Sequence, residues 1–531
     1  MSGWLSANEC GWTDSMIRTA KRWLVRVTAV IATVSLLCAC AAGGADNRAS
    51  HAASFETTPC PQPNIAGFPD LDFPSSVQCG YLTVPENRAL PDGRHIRIFV
   101  MRAPAVADKP RRDPLVYLSG GPGGAGSFEA AFMMKQGINA GREVIFVDQR
   151  GTHRAEPLLA CPAWEQYVFD SVSRRFTTRS GTLADASALQ SCRDAMAAAG
   201  VDLAAYNTTE NAADIADLRV ALVIDRWDVY GVSYGSRLAL TLLRDHPQGI
   251  RSVVLDSVSP PTVNIVEDWW TAPASSFRAI SAACAADASC ARAYPHLQAD
   301  LNLAVKRLDR KPFTTRVKDD SGASVNVVID GFAFAYTLIM SSERGNASDV
   351  PRMISDTARG DVRAVAARYL ALRGPQQFVG LGGMGLALGV FCEESANLTT
   401  EAATLAKAKA ALPGFPERVL RIQPKQGRLF TECPVWNVGK APPSVSARIV
   451  SDVPVLILEG AFDAATAPAW VGAITPDLGR AQVVSFPYTG HSVLGKSGCA
   501  QSIMAAFLDD PTHPVDGSCA ASQTLKFDTG R

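Results

Sequence analysis

Short runs of unbroken apolar residues, each ending in Gly, Asp or a Gly-rich turn, limit what this chain can fold into. Leu115-Val116-Tyr117-Leu118 runs into Ser119-Gly120-Gly121 and Val144-Ile145-Phe146-Val147 into Asp148. Asp228-Val229-Tyr230 runs into Gly231, and Val253-Val254-Leu255 into Asp256. A strand that is apolar at successive positions is covered on both faces, as in a parallel sheet flanked by helices. Helical patterns fill some of the gaps, at Asn211 to Val223 and Ser236 to Asp245. The alternation predicts an α/β fold with a mostly parallel sheet. Upstream, Tyr81-Leu82-Thr83-Val84 and Ile96-Arg97-Ile98-Phe99-Val100 flank Pro91-Asp92-Gly93, which predicts a hairpin.

After Pro260-Pro261 the texture changes. Residues 262–445 are Ala-rich and read as mainly helical, with a polar interruption at Lys318 to Asn326. Strand runs return at Val455-Leu456-Ile457-Leu458 and Gln482-Val483-Val484-Ser485-Phe486. The expected organisation is one α/β core in two parts, 58–261 and 446–531, split by a helical lid or insertion over 262–445. An insertion there is placed to lie over the carboxyl ends of the strands, where α/β sheets bind ligands.

The N-terminus reads as a targeting segment. Arg18, Lys21, Arg22 and Arg26 precede the apolar run Val27 to Leu37, which is shorter than a bilayer span requires. Leu37-Cys38-Ala39-Cys40 then resembles a bacterial lipobox. We expect a signal peptide over 1–39, lipidation and membrane attachment at Cys40, and a flexible Ala/Gly/Ser-rich tether over 40–57. A plain secretory signal is the alternative, and Met16 is an alternative start to Met1. Either reading exports the chain to the cell envelope or beyond.

Lys+Arg and Asp+Glu balance at 51 each, so no basic field exists to attract nucleic acid. Of thirteen cysteines, ten remain once Cys10, Cys38 and Cys40 are set aside. An even number in an exported chain implies disulfides. Neighbour pairing is the simplest arrangement: Cys60–Cys79, Cys161–Cys192, Cys284–Cys290, Cys392–Cys433 and Cys499–Cys519. No Cys-x-x-Cys occurs, so zinc is not expected.

Between the run at Trp227 and the helix at Ser236 stands Gly231-Val232-Ser233-Tyr234-Gly235, a Gly-x-Ser-x-Gly in the strand–turn–helix context of a nucleophile elbow. Ser233 is the expected nucleophile. A serine needs a base and an orienting acid, which in an α/β-hydrolase follow in the order acid, then histidine. Of seven histidines, only His491 and His513 lie beyond the first returning strand, and His513 sits in a surface-like turn. His491, in Tyr488-Thr489-Gly490-His491-Ser492, is the expected base. Glu459-Gly460-Ala461-Phe462-Asp463 offers Asp463 as the acid, with Glu459 as runner-up. The oxyanion donors are expected from the backbone of Tyr234 and of Gly121, in the loop Ser119-Gly120-Gly121-Pro122-Gly123-Gly124. A phosphate loop would need Gly-Lys-Ser/Thr, which that loop lacks. The mechanism calls for no metal or organic cofactor.

Four motifs resemble the actinobacterial secreted tripeptidyl aminopeptidases, relatives of proline iminopeptidase in the α/β-hydrolase fold. They are Gly120-Gly121-Pro122-Gly123, Asp148-Gln149-Arg150-Gly151-Thr152, the segment from Thr208-Thr209 through Trp227 to Gly235, and Cys392 with Cys433-Pro434-Val435-Trp436. The resemblance extends to mycobacterial cell-envelope serine hydrolases and implies the triad Ser233, Asp463 and His491. It also implies acidic residues that hold a substrate's free amino terminus, for which Glu393 and Glu394 are the candidates, Glu394 preferred. His153, Ala155 and Ser119 depart from the family's pattern, which bears on substrate preference more than on the triad. The expected activity is an exported serine hydrolase cleaving peptides near a free N-terminus. The alternatives are a carboxylesterase for lipid or small esters and, behind it, a non-enzymatic binding lipoprotein.

Overall fold

The computed structural model describes residues 53–61, 73–373, 382–423 and 427–530. The expected signal segment and Cys40 lie outside them. No helix among the described residues is long and apolar enough to cross a membrane.

The apolar runs form one sheet. Its strands are β1 (Ser54–Thr58), β2 (Gln78–Pro85), β3 (His95–Ala103), β4 (Leu115–Leu118), β5 (Val144–Asp148), β6 (Trp227–Val232) and β7 (Ile250–Asp256). After a separate hairpin, β8 (Phe313–Lys318) and β9 (Ser324–Ile329), the sheet is completed by β10 (Val455–Gly460) and β11 (Ala481–Phe486). The nine strands lie in the order β1-β2-β3-β5-β4-β6-β7-β10-β11. From β5 to β11 every neighbour is parallel, while β1, β2 and β3 add an antiparallel edge. β4, β5, β6 and β10 are buried at every residue, as their uninterrupted apolarity requires.

Two features depart from expectation. The tether expected over 40–57 ends early, because residues 54–57 pair with β2, and the Phe55 ring fills the space over Gly80 that a side chain there would occupy. The polar interruption at Lys318 to Asn326 belongs to the β8–β9 hairpin. Its solvent-facing strand β8 alternates exposed and half-buried residues, which is why it reads as polar.

The helical layer draws on two stretches of chain. Helices between β7 and β10 pack with helices between β5 and β6, so that Leu159, Leu189 and Met196 share a core with Leu386, Phe391, Leu429 and Trp436. Disulfides close Cys161 to Cys192 and Cys392 to Cys433 within this layer, and Cys60–Cys79, Cys284–Cys290 and Cys499–Cys519 elsewhere. The Cys392–Cys433 bridge joins the Met384–Glu394 and Leu429–Trp436 helices across a sequence separation of 41. A loop of that length confers about 4 kcal/mol in the chain-entropy account. Replacing both cysteines by serine should therefore lower the melting temperature, with scanning calorimetry as the measurement.

Candidate active site

Ser233 follows β6 directly and caps the Tyr234–Asp245 helix. Its φ of 56° and ψ of −122° are a sparsely populated conformation for a residue with a side chain. The turn is also crowded. A Cβ on Gly231 would lie 2.2 Å from Gly235 O, and one on Gly235 would lie 2.0 Å from Leu118 O. Only glycine fits at either place, so the pentapeptide spacing is a steric requirement. The first N–H groups of the helix have no intrahelical partner, and that of Tyr234 is adjacent to the nucleophile.

β4 lies beside β6 and delivers Ser119-Gly120-Gly121 next to the elbow. A Cβ on Gly120 would stand 3.0 Å from Ser233 Cβ, so the loop touches the serine. The Asp148-Gln149-Arg150-Gly151 motif holds this region. Gln149 Nε2 donates to Ser119 O (2.9 Å), and Gln149 Oε1 accepts from Asn211 Nδ2 (2.8 Å). Asp148 accepts from Ser127 N and Ser127 Oγ at 2.8 and 2.7 Å, fixing the helix Gly126–Lys135 that follows the loop. Arg150, fully buried, forks onto both oxygens of Asp214 at 2.8 Å.

Asp463 follows β10 and His491 follows β11, so both reach the same end of the sheet. Asp463 Oδ2 accepts from His491 Nδ1 (2.8 Å) and Thr466 Oγ1 (2.8 Å). Its Oδ1 accepts from Ala465 N (2.7 Å) and Thr466 N (2.9 Å). Burial raises the carboxyl, but His491 and these donors outweigh it and bring the value down to about 2. Asp463 is therefore ionised and can only accept, so His491 carries its proton on Nδ1 and leaves Nε2 as the basic nitrogen. Glu459 makes no such contact. It accepts from Val258 N (3.1 Å), and burial together with the Asp463 charge pushes its carboxyl well above the ordinary range.

Ser233 and His491 meet on the wall of one cavity of about 530 Å³, with Gly120, Gly121 and Gly124. The His491 loop is itself pinned. Asp256, at the end of β7, accepts from Val493 N and Leu494 N at 2.8 Å and from Tyr230 Oη at 2.8 Å, while Ser257 Oγ accepts from Ser492 N (2.9 Å). No sequence spacing reveals these supports, which come from the neighbouring strand. Asp256→Asn would lose at least one buried acceptor. It should cost about 1–3 kcal/mol of stability and lower kcat more than it raises KM, checked by denaturant titration beside steady-state kinetics.

The structure does not bring Glu393 and Glu394 to this cavity. Glu394 is buried beneath the elbow, and its two oxygens accept from Thr208 N (2.7 Å) and Thr208 Oγ1 (2.8 Å). Burial raises its carboxyl. Glu393 lies beside Asn207, and burial followed by the neighbouring Glu394 raises it to about 7. His513 is exposed and pairs with Asp510. Among the described residues no cluster of His, Cys, Asp or Glu is arranged to hold a metal ion.

Comparison with known proteins agrees with this architecture. Residues 113–320 match the family model described as alpha/beta hydrolase fold, and residues 419–519 match the one described as TAP-like protein. The chain has the α/β-hydrolase fold, with a TAP-like match toward its C-terminus. Serine protease Hip1 of Mycobacterium tuberculosis is 25% identical to it over 507 residues, covering 87% of this chain and 90% of the relative. Tripeptidyl aminopeptidase of Streptomyces coelicolor is 31% identical over 204 residues, 36% of this chain and 37% of the relative. Proline iminopeptidase of Mycobacterium smegmatis superposes with a TM-score of 0.37 at 16% identity, over 81% of this chain and 98% of that one. Its serine protease and aminopeptidase relatives, with the α/β-hydrolase match, make it a serine hydrolase or peptidase.

Proposed function

We propose that this chain is a serine peptidase acting near the free amino terminus of its substrates, with Ser233, His491 and Asp463 as its triad. The observation that carries this reading is the Asp463–His491 bond at 2.8 Å, on the wall that also holds the elbow serine. Ser233 Oγ attacks the peptide carbonyl while His491 Nε2 takes its proton. The tetrahedral oxyanion is received by the N–H groups of Gly121 and Tyr234. His491 returns the proton to the departing amine, leaving an acyl-Ser233 that water then hydrolyses. Asp463 holds the imidazole and stabilises its charged form.

The peptide class is supported by the relatives named a serine protease and a tripeptidyl aminopeptidase. The basic residues before Val27 and the Leu37–Cys40 sequence support export and attachment at Cys40. Profiling free and N-acetylated peptides of identical sequence tests the amino-terminal preference. The free peptides should be cleaved at least 10-fold more efficiently by kcat/KM, in keeping with a charge-assisted contact to the amine. Equal cleavage of both, or efficient turnover of esters alone, would turn the reading toward an endopeptidase or an esterase.

A further inference from the structure

The loop over residues 119–124 is held through its carbonyls. Ser119 O accepts from Gln149 Nε2 (2.9 Å), Gly120 O from Gly124 N (3.1 Å) and Gly123 O from Gly383 N (3.1 Å). The last two bonds form one chain. A trans peptide group is planar, with its C=O and N–H pointing in opposite directions, and both peptide groups concerned are trans. Gly383 N–H meets the C=O of the peptide that joins Gly123 to Gly124. The N–H of that same peptide meets the C=O of the one that joins Gly120 to Gly121. On the far side of this second peptide stands the N–H of Gly121. The chain therefore starts on Gly383, crosses both peptide groups and ends on the donor assigned to the oxyanion.

Gly383 precedes the Met384–Glu394 helix, part of the helical layer, and lies in a second Gly-rich stretch, Gly382-Gly383-Met384-Gly385. Its φ of −78° is open to any residue, so close approach rather than backbone freedom calls for glycine. A Cβ there would lie 2.7 Å from Thr152 Cγ2, 3.1 Å from Gly151 O and 3.2 Å from Gly123 Cα. Thr152 cannot swing clear without losing a hydrogen bond, because its Oγ1 donates to Gln149 O (2.7 Å). From the other side, a Cβ on Gly123 would lie 2.7 Å from Gly383 O. The two backbones touch with no room for a side chain between them.

We propose that Gly383 is a positioning residue for the oxyanion hole, its N–H acting through the intervening peptides to aim the Gly121 N–H and strengthen it as a donor. This assignment rests on the serine mechanism proposed above. Two effects act together. The chain fixes the planes of both peptides, which sets the donor's direction before charge develops on the substrate. Hydrogen bonds in series also polarise one another, so donation to Gly123 O makes Gly124 N–H, and in turn Gly121 N–H, the better donor. The helical layer thereby reaches the reacting centre without lending it a side chain.

Gly383→Ala forces the two backbones apart. A misplaced donor should lower kcat roughly 10- to 100-fold and leave KM nearly unchanged. The affinity of a peptidyl boronate, whose tetrahedral adduct on Ser233 turns an oxygen toward the donors, should fall by a similar factor. End-point titration with a fluorophosphonate corrects each rate for the folded fraction. The comparison is Cys392→Ser/Cys433→Ser, which destabilises the same helix but acts largely through the unfolded chain and leaves the contact at Gly383 in place. Its kcat and boronate affinity should match wild type. Glycolate incorporated at position 383 replaces the N–H by an ester oxygen and adds no atom to clash. It should lower kcat about 3- to 10-fold, the worth of one hydrogen bond, and it carries the test if Gly383→Ala does not fold. Equal falls in Gly383→Ala and the disulfide-free protein would overturn the assignment and make Gly383 a packing residue. A rise in KM alone, or wild-type kcat in the ester, would overturn it equally. Wild-type enzyme that neither turns over peptides nor binds the boronate would remove the peptidase reading, and this assignment with it.

Discussion

Ser233→Ala should reduce kcat roughly a millionfold, to the level that binding and oxyanion stabilisation alone sustain. The size of the effect follows from the division of labour at the elbow. In the proposed mechanism Ser233 contributes the only atom that forms the covalent bond, and without it His491 and Asp463 have no hydroxyl to activate. The backbone should be unaffected. Alanine must adopt the same φ of 56°, but the Gly231 and Gly235 contacts that force this turn remain. Stability should therefore change by less than about 1 kcal/mol. Initial rates with a chromogenic peptide, beside a thermal melt, measure both. A variant with wild-type melting and near-normal turnover would remove the serine from the mechanism.

Asp463→Asn should lower kcat about 10⁴-fold, with a smaller effect on KM. An amide can donate where the carboxylate only accepts. Turned toward His491, it places the ring proton on Nε2, facing Ser233, where a lone pair is needed. The substitution also changes acid stability, with a definite sign. The folded carboxyl lies at about 2, below its ordinary 3.8. Asp463 thus contributes stability that is fully present above about pH 4 and is lost as pH falls through 2. The shift corresponds to about 2 kcal/mol, so wild type should lose that much more than Asp463→Asn across this window. Denaturant titrations of the two proteins at pH 5 and pH 1.5 would measure it.

Much of the sheet is legible because β4, β5, β6 and β10 are covered on both faces and so must be apolar throughout. The elbow is legible because the 2.2 Å and 2.0 Å approaches at Gly231 and Gly235 leave no alternative to glycine. What stays hidden has physical reasons too. β8 faces solvent, so its residues carry no apolar signature. Thr466, Asp256 and Gln149 serve the site through hydrogen bonds across neighbouring strands and loops, and nothing in their own sequence context marks them. Glu393 and Glu394 are expected through resemblance, and the structure sets them against Asn207 and Thr208, outside the cavity that holds Ser233.

Whether Ser233 is the activated nucleophile is tested most directly by a fluorophosphonate probe followed by peptide mass spectrometry. The labelled protein should carry one adduct, on the peptide containing Ser233, and His491→Ala should label far more slowly. An adduct on another serine with Ser233 unmodified, or undiminished labelling in His491→Ala, would contradict the account.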